Sequence, residues 1–468
     1  MSERYDAAVI GGGVSGLGAA ALLAKAGLHT VLLEQSASHT ASAAALRALD
    51  PRLVKELKLA KYGLKFAVRD LALTLLRSGG QPIAIARDRH ANARSLAALS
   101  PADAAAFADF QHQRLALARA LRLTWWEGRP ATETVAALKA DQRELFERLS
   151  VTSAACWLAA HFESDTLKAA LACDASSCGF APSEPGSALA LLWSAAQEMC
   201  GLQGAVAIPR GGEGTVVQAL AEAAKAQGAE LRLGATVSRL RVDGLGVLGL
   251  ELAAGGEIDA PLVLSTLSRA QTLESLAPAA LSGLGAARRA SRPRPVIGAA
   301  TLVFGLNRTP DLGGAMAQRR VVVAEKLETY ETALTAARLG HTPSEPVLEL
   351  ILPPSEGTAA QLSSRLQLFV RVWPLPEGFD RGALPATVTA MLERRLPGFA
   401  AASCDVLGLE PQAPSVERLL AAATDRIATQ VRGLYLCGIG AEPADATSGR
   451  AARHAVRAAL ESQRGGRT

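Results

Sequence analysis

Residues 6–34 of the chain read DAAVIGGGVSGLGAAALLAKAGLHTVLLE. A short apolar run, a glycine cluster, a stretch rich in Ala and Leu and a second apolar run follow in the order strand, turn, helix and strand. Gly11 permits a tight turn, and Gly16 lets the helix pack closely against the strand. The stretch therefore predicts a βαβ unit at the start of a parallel sheet.

This βαβ unit predicts a dinucleotide site. Gly13 lets the backbone approach a pyrophosphate, and Val14 and Ser15 open a helix whose N-terminal N–H groups and positive dipole end favour phosphate. Glu34 ends the second strand about 20 residues after the glycines, where a carboxylate can accept hydrogen bonds from ribose hydroxyls. Gln35 adjoins it and completes this predicted set. A carboxylate at position 34 disfavours a 2′-phosphate, which leaves FAD or NAD as the ligand.

The composition indicates a globular protein of more than one domain. The chain has 468 residues, of which 49% are hydrophobic and 20% charged. The net charge is +5, and the 49 Lys and Arg residues are spread along the chain among 44 acidic residues. No zinc-finger or RNA-binding signature accompanies them, so we expect no nucleic-acid partner. No signal peptide and no run of about 18 apolar residues is found. We expect a cytoplasmic protein, with peripheral membrane contact and homo-oligomer formation left open.

Two further glycine-bearing stretches follow far along the chain. Residues 208–240 carry the turn PRGGEG, a helix that ends at Gly228 and the strand pair GAELRLGATVSRL. Residues 433–449 read GLYLCGIGAEPADATSG and are followed by an Ala- and Arg-rich helix pattern. The second of these stretches predicts a short buried strand, a glycine-bearing loop and a closing helix.

Together these stretches resemble the phytoene desaturase-like branch of the FAD-dependent amine oxidase and carotenoid desaturase superfamily. The N-terminal unit, the PRGG turn with its helix and the C-terminal tail carry the likeness. The segment DPRLVKELKLAKYGLKF, residues 50–66, is similar to the pyridine nucleotide-disulphide oxidoreductase domain 2 proteins of that branch. The resemblance implies that FAD is the cofactor.

The resemblance also implies the architecture and further site residues. The expected α/β fold has a Rossmann-like FAD-binding domain, built from residues 1–78, 205–270 and 413–468. A mixed-sheet and helical substrate domain, residues 79–204 and 271–412, is inserted between these pieces. Val237 would meet the adenine through its backbone. The C-terminal contacts would come from the cofactor-facing loop and from the helix that closes on the flavin ring, at Gly438, Gly440, Thr447, Ser448 and Gly449, with Thr447 or Ser448 as the N-cap.

Two segments depart from the pattern of the resembled branch. Its members carry an arginine and a Gly-Gly pair soon after the acid at position 34, whereas this chain has no glycine between Glu34 and Arg47. Residues 442–446 read EPADA where a glycine-rich run is usual. Both departures fall on backbone that would approach the flavin.

The resemblance implies an enzyme that removes a hydride from an activated C–H bond of an apolar substrate, such as an isoprenoid. Oxygen or a quinone would reoxidise the cofactor. Aromatic residues are only 4% of the chain, which favours an aliphatic chain over an amine held in an aromatic cage. A flavin amine oxidase, an isomerase and a non-catalytic FAD-fold scaffold remain alternatives. No spacing identifies a catalytic base, and none indicates a metal site.

Overall fold

The computed structural model describes residues 3–37, 44–76, 82–243, 246–276, 297–307, 319–354, 366–396, 399, 401–412, 419–441 and 448–465. The strands in these ranges are β1 Glu3–Arg4, β2 Ala7–Ile10, β3 Thr30–Glu34, β4 Phe66–Val68, β5 Ala72–Leu75, β6 Ile83–Ile85, β7 Glu198–Met199, β8 Leu202–Gln203, β9 Ile208–Pro209, β10 Glu230–Leu233, β11 Val237–Val242, β12 Val247–Leu252, β13 Glu257–Asp259, β14 Val263–Ser265, β15 Ile297–Leu306, β16 Arg319–Val323, β17 Val347–Ile351, β18 Leu366–Pro376, β19 Ala401–Gln412 and β20 Leu434–Leu436.

The helices are α1 Val14–Lys25, α2 Pro51–Glu56, α3 Arg89–Ala97, α4 Pro101–Ala120, α5 Arg122–Trp125, α6 Ala131–Ala136, α7 Ala140–Val151, α8 Ala154–Ala159, α9 Asp165–Ser176, α10 Ser187–Ala196, α11 Glu213–Ala226, α12 Leu327–Arg338, α13 Leu384–Arg395, α14 Ala423–Ile427 and α15 Arg450–Gly465. A 3₁₀ turn spans Leu59–Tyr62 and a π turn spans Gln271–Ser275. None of the described helices is long and apolar enough to cross a membrane.

A five-stranded parallel sheet forms the first layer of the core. Its strand order is β10-β3-β2-β14-β20, and every pair in it is parallel. The three central strands, β3, β2 and β14, are almost continuously apolar, as expected for a sheet buried on both faces. Because the strands are parallel, their carboxyl ends meet at one edge. This arrangement confirms the predicted βαβ unit and brings chain segments more than 400 residues apart into one sheet.

The two faces of the parallel sheet are covered differently. Helices α1, α11 and α15 pack together on one face around a core rich in Ala and Leu. Small side chains allow these helices to approach one another closely. The other face packs against a four-stranded sheet of order β1-β13-β12-β11. The result is a three-layered architecture of helices, parallel sheet and second sheet.

A second, seven-stranded mixed sheet has the order β19-β15-β18-β17-β16-β5-β6. One face packs against the α3–α10 helical layer, and the other packs against α13. All five tryptophans of the chain lie in the core between this sheet and the helices. The aromatic residues are therefore scarce in the sequence but concentrated in one layer. The α/β fold with a Rossmann-like sheet, a mixed sheet and a helical layer is the predicted fold class.

The boundaries proposed from the sequence stay a prediction. The strand β5 lies inside the predicted first FAD segment, residues 1–78, yet it pairs with β16 and β6 in the seven-stranded sheet. The chain thus enters the second sheet before residue 79. The short strands β4 and β9 pair with each other, and Leu46 forms a bridge to Ala207, so the chain crosses between layers there.

The closing helix α15 fastens the parallel sheet to the helical layer. Arg450 is buried, donates to Gln197 Oε1 over 2.6 Å and lies over the ring of Trp126. One turn later His454, which is also buried, places Nε2 2.9 Å from the carbonyl oxygen of Trp126. Arg453 pairs with Asp50 at 2.8 Å. These contacts join the last helix to segments from the first half of the chain.

We predict that His454 makes the protein sensitive to mild acid. Burial, and then the charges of Arg453, Arg457 and Arg426, lower the pKa of His454 to about 3. In the unfolded chain a histidine takes up a proton near its ordinary value of about 6.5. As the pH falls below that value, the unfolded state gains a proton that the folded state does not accept, so stability is lost.

The test is to replace His454 with Gln, which keeps a donor for the Trp126 carbonyl, and to measure the free energy of unfolding between pH 7.5 and 4.5. The wild type should lose up to about 1.4 kcal/mol per pH unit more than H454Q over this range. The control is H112Q, because His112 is exposed on α4. Parallel pH profiles for the wild type and H454Q would contradict this account.

Candidate nucleotide-binding site

The carboxyl edge of the parallel sheet is held together by very close backbone contacts. A Cβ atom on Gly16 would lie 1.8 Å from the carbonyl oxygen of Gly11, so only glycine allows the first turn of α1 to pack this closely on the glycine turn. The hydroxyl of Thr266, the residue after β14, donates to the carbonyl oxygen of Ile10 over 2.9 Å and packs on Gly11. Thr266 thus braces the glycine turn, a role that sequence reasoning missed. The one signal was its position at the end of a buried strand.

Gly13 lies at an open part of the turn. It is exposed, its φ of −76° is open to any residue, and a Cβ atom built on it would meet nothing within 4 Å. Neither strain nor packing within the described residues therefore requires glycine at this position. The N-cap of α1 at Gly13 has no side-chain hydrogen bond. The residues fit a pyrophosphate approaching the first turn of α1, at Val14 and Ser15.

Glu34 ends β3 beside the glycine turn. Its Oε2 accepts from the Gly12 N–H over 2.5 Å, and its Oε1 accepts from the Ser36 N–H over 2.8 Å. Both carboxylate oxygens are fixed by backbone, and each retains acceptor capacity for a ribose hydroxyl. The neighbouring Gln35 is exposed.

The segment that leads to Val237 runs beside this carboxylate. The Ala235 N–H donates to the Glu34 carbonyl oxygen over 2.8 Å, and the Gly234 N–H donates to that of Ser36 over 3.0 Å. Val237 opens β11 two residues later and is half-buried. The predicted adenine-contacting residue and the predicted ribose-contacting residue therefore belong to one part of the site. The contacts themselves stay a prediction.

The C-terminal glycines lie at the same sheet edge, beyond β20. Cβ atoms on Gly438 and Gly440 would lie 2.4 Å from the carbonyl oxygen of Thr266 and 2.8 Å from that of Leu267. Close packing against the loop after β14 thus accounts for both glycines. Their role toward a cofactor stays a prediction.

The closing helix begins later than the sequence indicated. Its first residue is Arg450, because Gly449 has a φ of +71° and cannot continue a right-handed helix backwards. Ser448 Oγ accepts from the Arg450 N–H over 3.1 Å, as an N-cap side chain does. Thr447, the other predicted N-cap, lies outside the described residues, as do residues 442–446. Gly449 itself packs on Leu53.

A ring of four charges joins the layers of the molecule beyond the glycine turn, with Arg320 and Glu349 buried and Arg47 and Asp174 half-buried. Arg47 pairs with Glu349 at 2.6 Å and with Asp174 at 3.2 Å. Arg320 pairs with Asp174 at 2.8 Å and with Glu349 at 3.4 Å. The four residues come from the segment after the first βαβ unit, from α9, from β16 and from β17. Sequence reasoning missed this ring, although Glu349 interrupts an otherwise apolar strand.

The ring holds its two acids in the ionised form. Burial alone would raise the pKa of Asp174, but Arg320, Arg47 and Arg114 lower it to about 2. Burial would likewise raise the pKa of Glu349, and Arg47, Arg320 and Arg371 lower it. Both carboxylates are therefore poor proton acceptors near neutral pH. Among the described residues, no group of three or more His, Cys, Asp or Glu side chains is arranged to hold a metal ion.

The parallel sheet, its glycine turn and the open start of α1 define a Rossmann-like dinucleotide-binding protein. The chain matches the FAD dependent oxidoreductase family, DAO, over residues 6–330, and it belongs to that family. It is therefore an FAD-dependent oxidoreductase, which confirms the predicted cofactor. Gly13 and Glu34 are the residues that would hold the nucleotide.

Relatives and solved structures of similar fold extend this result. The chain is 27% identical to pyridine nucleotide-disulfide oxidoreductase domain-containing protein 2 of Rattus norvegicus, over 97% of this chain and 93% of that protein. It is 27% identical to hydroxyneurosporene desaturase of Rhodobacter capsulatus, over 98% of both chains. Putrescine oxidase bound to putrescine has a similar fold, with a TM-score of 0.60 and 14% identity over 99% of this chain and 100% of that one. The predicted resemblance is confirmed.

The two glycines of the turn should separate cofactor binding from folding. Gly13→Ala should leave the melting temperature of the FAD-free protein unchanged, because its Cβ would enter open space, and should weaken FAD binding at least about tenfold by obstructing the pyrophosphate. Gly16→Ala should lower that melting temperature as well, since its Cβ would collide with Gly11. Melting curves and FAD titrations check both. A G13A protein that binds FAD as tightly as the wild type would refute this placement of the pyrophosphate.

Proposed function

We propose that the protein removes a hydride from an activated C–H bond of an uncharged or anionic, largely apolar substrate, in the manner of a desaturase or dehydrogenase. FAD, when bound, supplies the hydride acceptor, and oxygen or a quinone would restore the oxidised cofactor. The protein's own part is to bind the nucleotide at the glycine turn, to hold the substrate and to exclude water.

The observation that carries this proposal is the sign of the buried charge where the layers meet. The guanidinium groups of Arg47, Arg114 and Arg320 all lie near Asp174 and act on its ionisation. A protonated amine would be repelled by this excess of positive charge and would find both nearby acids already paired. This feature disfavours the amine oxidase alternative.

The surroundings of these charges are apolar. Leu73, Leu75, Val322 and Trp373 of the seven-stranded sheet are buried against the helical layer. An environment of this kind favours a hydrocarbon body over a polar one. The relationship to hydroxyneurosporene desaturase over 98% of both chains supports the same class of reaction. The fold likeness to putrescine oxidase carries no comparable weight, because it rests on 14% identity.

Asp174 and Glu349 have lowered pKa values and would not serve as general bases. The proton released alongside the hydride would therefore pass to solvent water rather than to either acid. Hydride removal from a C–H already activated by the substrate's own substituent fits this arrangement.

Anaerobic reduction of the FAD-loaded protein tests the proposal. The flavin absorbance near about 450 nm should fall when isoprenoid or long-chain substrates are added, and should stay constant with putrescine or other alkyl amines. Gly13→Ala protein supplies the control, since it should be colourless after gel filtration. Bleaching by amines with release of peroxide would instead support an amine oxidase. Conversion of one isomer by pre-reduced enzyme with no net electron transfer would support an isomerase.

A further inference from the structure

The helix α4 carries a charge on its buried stripe. Phe107, Phe110, Arg114 and Leu117 recur at helical spacing and are all buried against the helical layer. Arg114 is only 9% exposed. An arginine at such a position is rare unless an anion or several acceptors compensate it.

Arg114 lacks that compensation within the described part of the chain. Its Nε and Nη1 atoms are buried and have no hydrogen-bond partner. One turn earlier on the same helix, Gln111 also buries an amide oxygen without a partner. Buried polar atoms are nearly always paired, so two such side chains on one face indicate a missing group.

The neighbouring charges cannot supply this group. Asp174 is the acid that acts on Arg114, but it is already bound by Arg47 and Arg320. Burial lowers the pKa of Arg114, and the charge of Arg320 lowers it further. Since the four-membered ring balances two arginines with two acids, Arg114 adds an uncompensated positive charge to the interior.

We propose that Arg114, assisted by Gln111, forms a subsite for the carboxylate of an amphiphilic substrate, whose hydrocarbon body lies in the apolar layer. This inference rests on the proposed function and names the substrate class. The planar guanidinium can bind a carboxylate through two parallel hydrogen bonds, and the Gln111 amide can turn to contribute its nitrogen. Phe110 and Leu117 on either side would contact the chain of the acid.

The proposal separates ligand binding from folding. If Arg114 is paired only when a substrate carboxylate binds, Arg114→Met removes an unpaired buried charge from the substrate-free enzyme. The substitution should then raise or leave unchanged the melting temperature of the FAD-loaded, substrate-free protein. If Arg114 has a purely structural role, the same substitution should lower that temperature by several degrees. Arg148→Met, on the exposed face of α7, is the matched control.

Binding is measured on the same FAD-loaded proteins with decanoate, methyl decanoate, acetate and inorganic phosphate. Decanoate should bind the wild type and R148M about 10- to 100-fold more tightly than methyl decanoate, and R114M should lose this preference. Arg114→Lys should recover part of the preference for decanoate, since lysine restores the positive charge but not the two parallel hydrogen bonds of a guanidinium group. Gln111→Leu should weaken decanoate binding by a smaller factor than R114M does.

Three outcomes would overturn the subsite. One is an unchanged preference for decanoate in R114M. Another is a fall in the melting temperature of R114M with decanoate binding intact. The third is equal affinity for acetate, phosphate and decanoate, which would indicate a site for a free anion.

Failure of the subsite and failure of the proposed reaction have different signatures. If neutral isoprenoids reduce the flavin and isoprenoid acids do so no faster, the proposed hydride removal stands and the carboxylate subsite is wrong. If decanoate binding depends on Arg114 but no acid, alcohol or isoprenoid reduces the flavin, the carboxylate subsite stands and the proposed reaction is wrong.

Discussion

The approach of the Gly16 backbone to the carbonyl oxygen of Gly11 is the contact on which the nucleotide-binding part depends. It lets α1 start directly above β2, so that the helix N-terminus faces the carboxyl edge of the sheet. The same edge receives Thr266 from β14 and Gly438 from beyond β20. Thr266 packs on this turn, and Gly438 packs on Thr266. A side chain at either glycine would displace the helix and the ligand space together.

The charge ring joins three layers of the molecule, which also share an apolar core. Arg47 comes from the segment after the first βαβ unit, Asp174 from the helical layer, and Arg320 and Glu349 from the seven-stranded sheet. Removing any one of the four would leave a buried charge without its partner, which is costly. The ring therefore fixes the register of the layers.

Patterns along the chain predicted the nucleotide-binding half well and the substrate half poorly. The order of strand, glycines, helix and Glu34 is local, and each residue has one physical reason for its place. Arg114 offered no such reason, because a lone arginine in a helical pattern reads as a solvated side chain. Its significance follows from burial beside Asp174, which lies 60 residues away in the sequence. The low aromatic content gave no indication that the tryptophans are gathered in one core.

The sequence by itself determined the βαβ unit, the dinucleotide class, the cofactor through the family resemblance and the general architecture. These properties follow from periodicity and from glycines whose backbone requirements are met within about 30 residues. Only the tertiary structure decided that Thr266 braces the turn, that α15 begins after Gly449, and that Arg47 closes a ring with residues of two other layers. It also decided which buried charges are paired. Pairing and burial depend on distances between remote segments, and no local pattern in a single sequence encodes those distances.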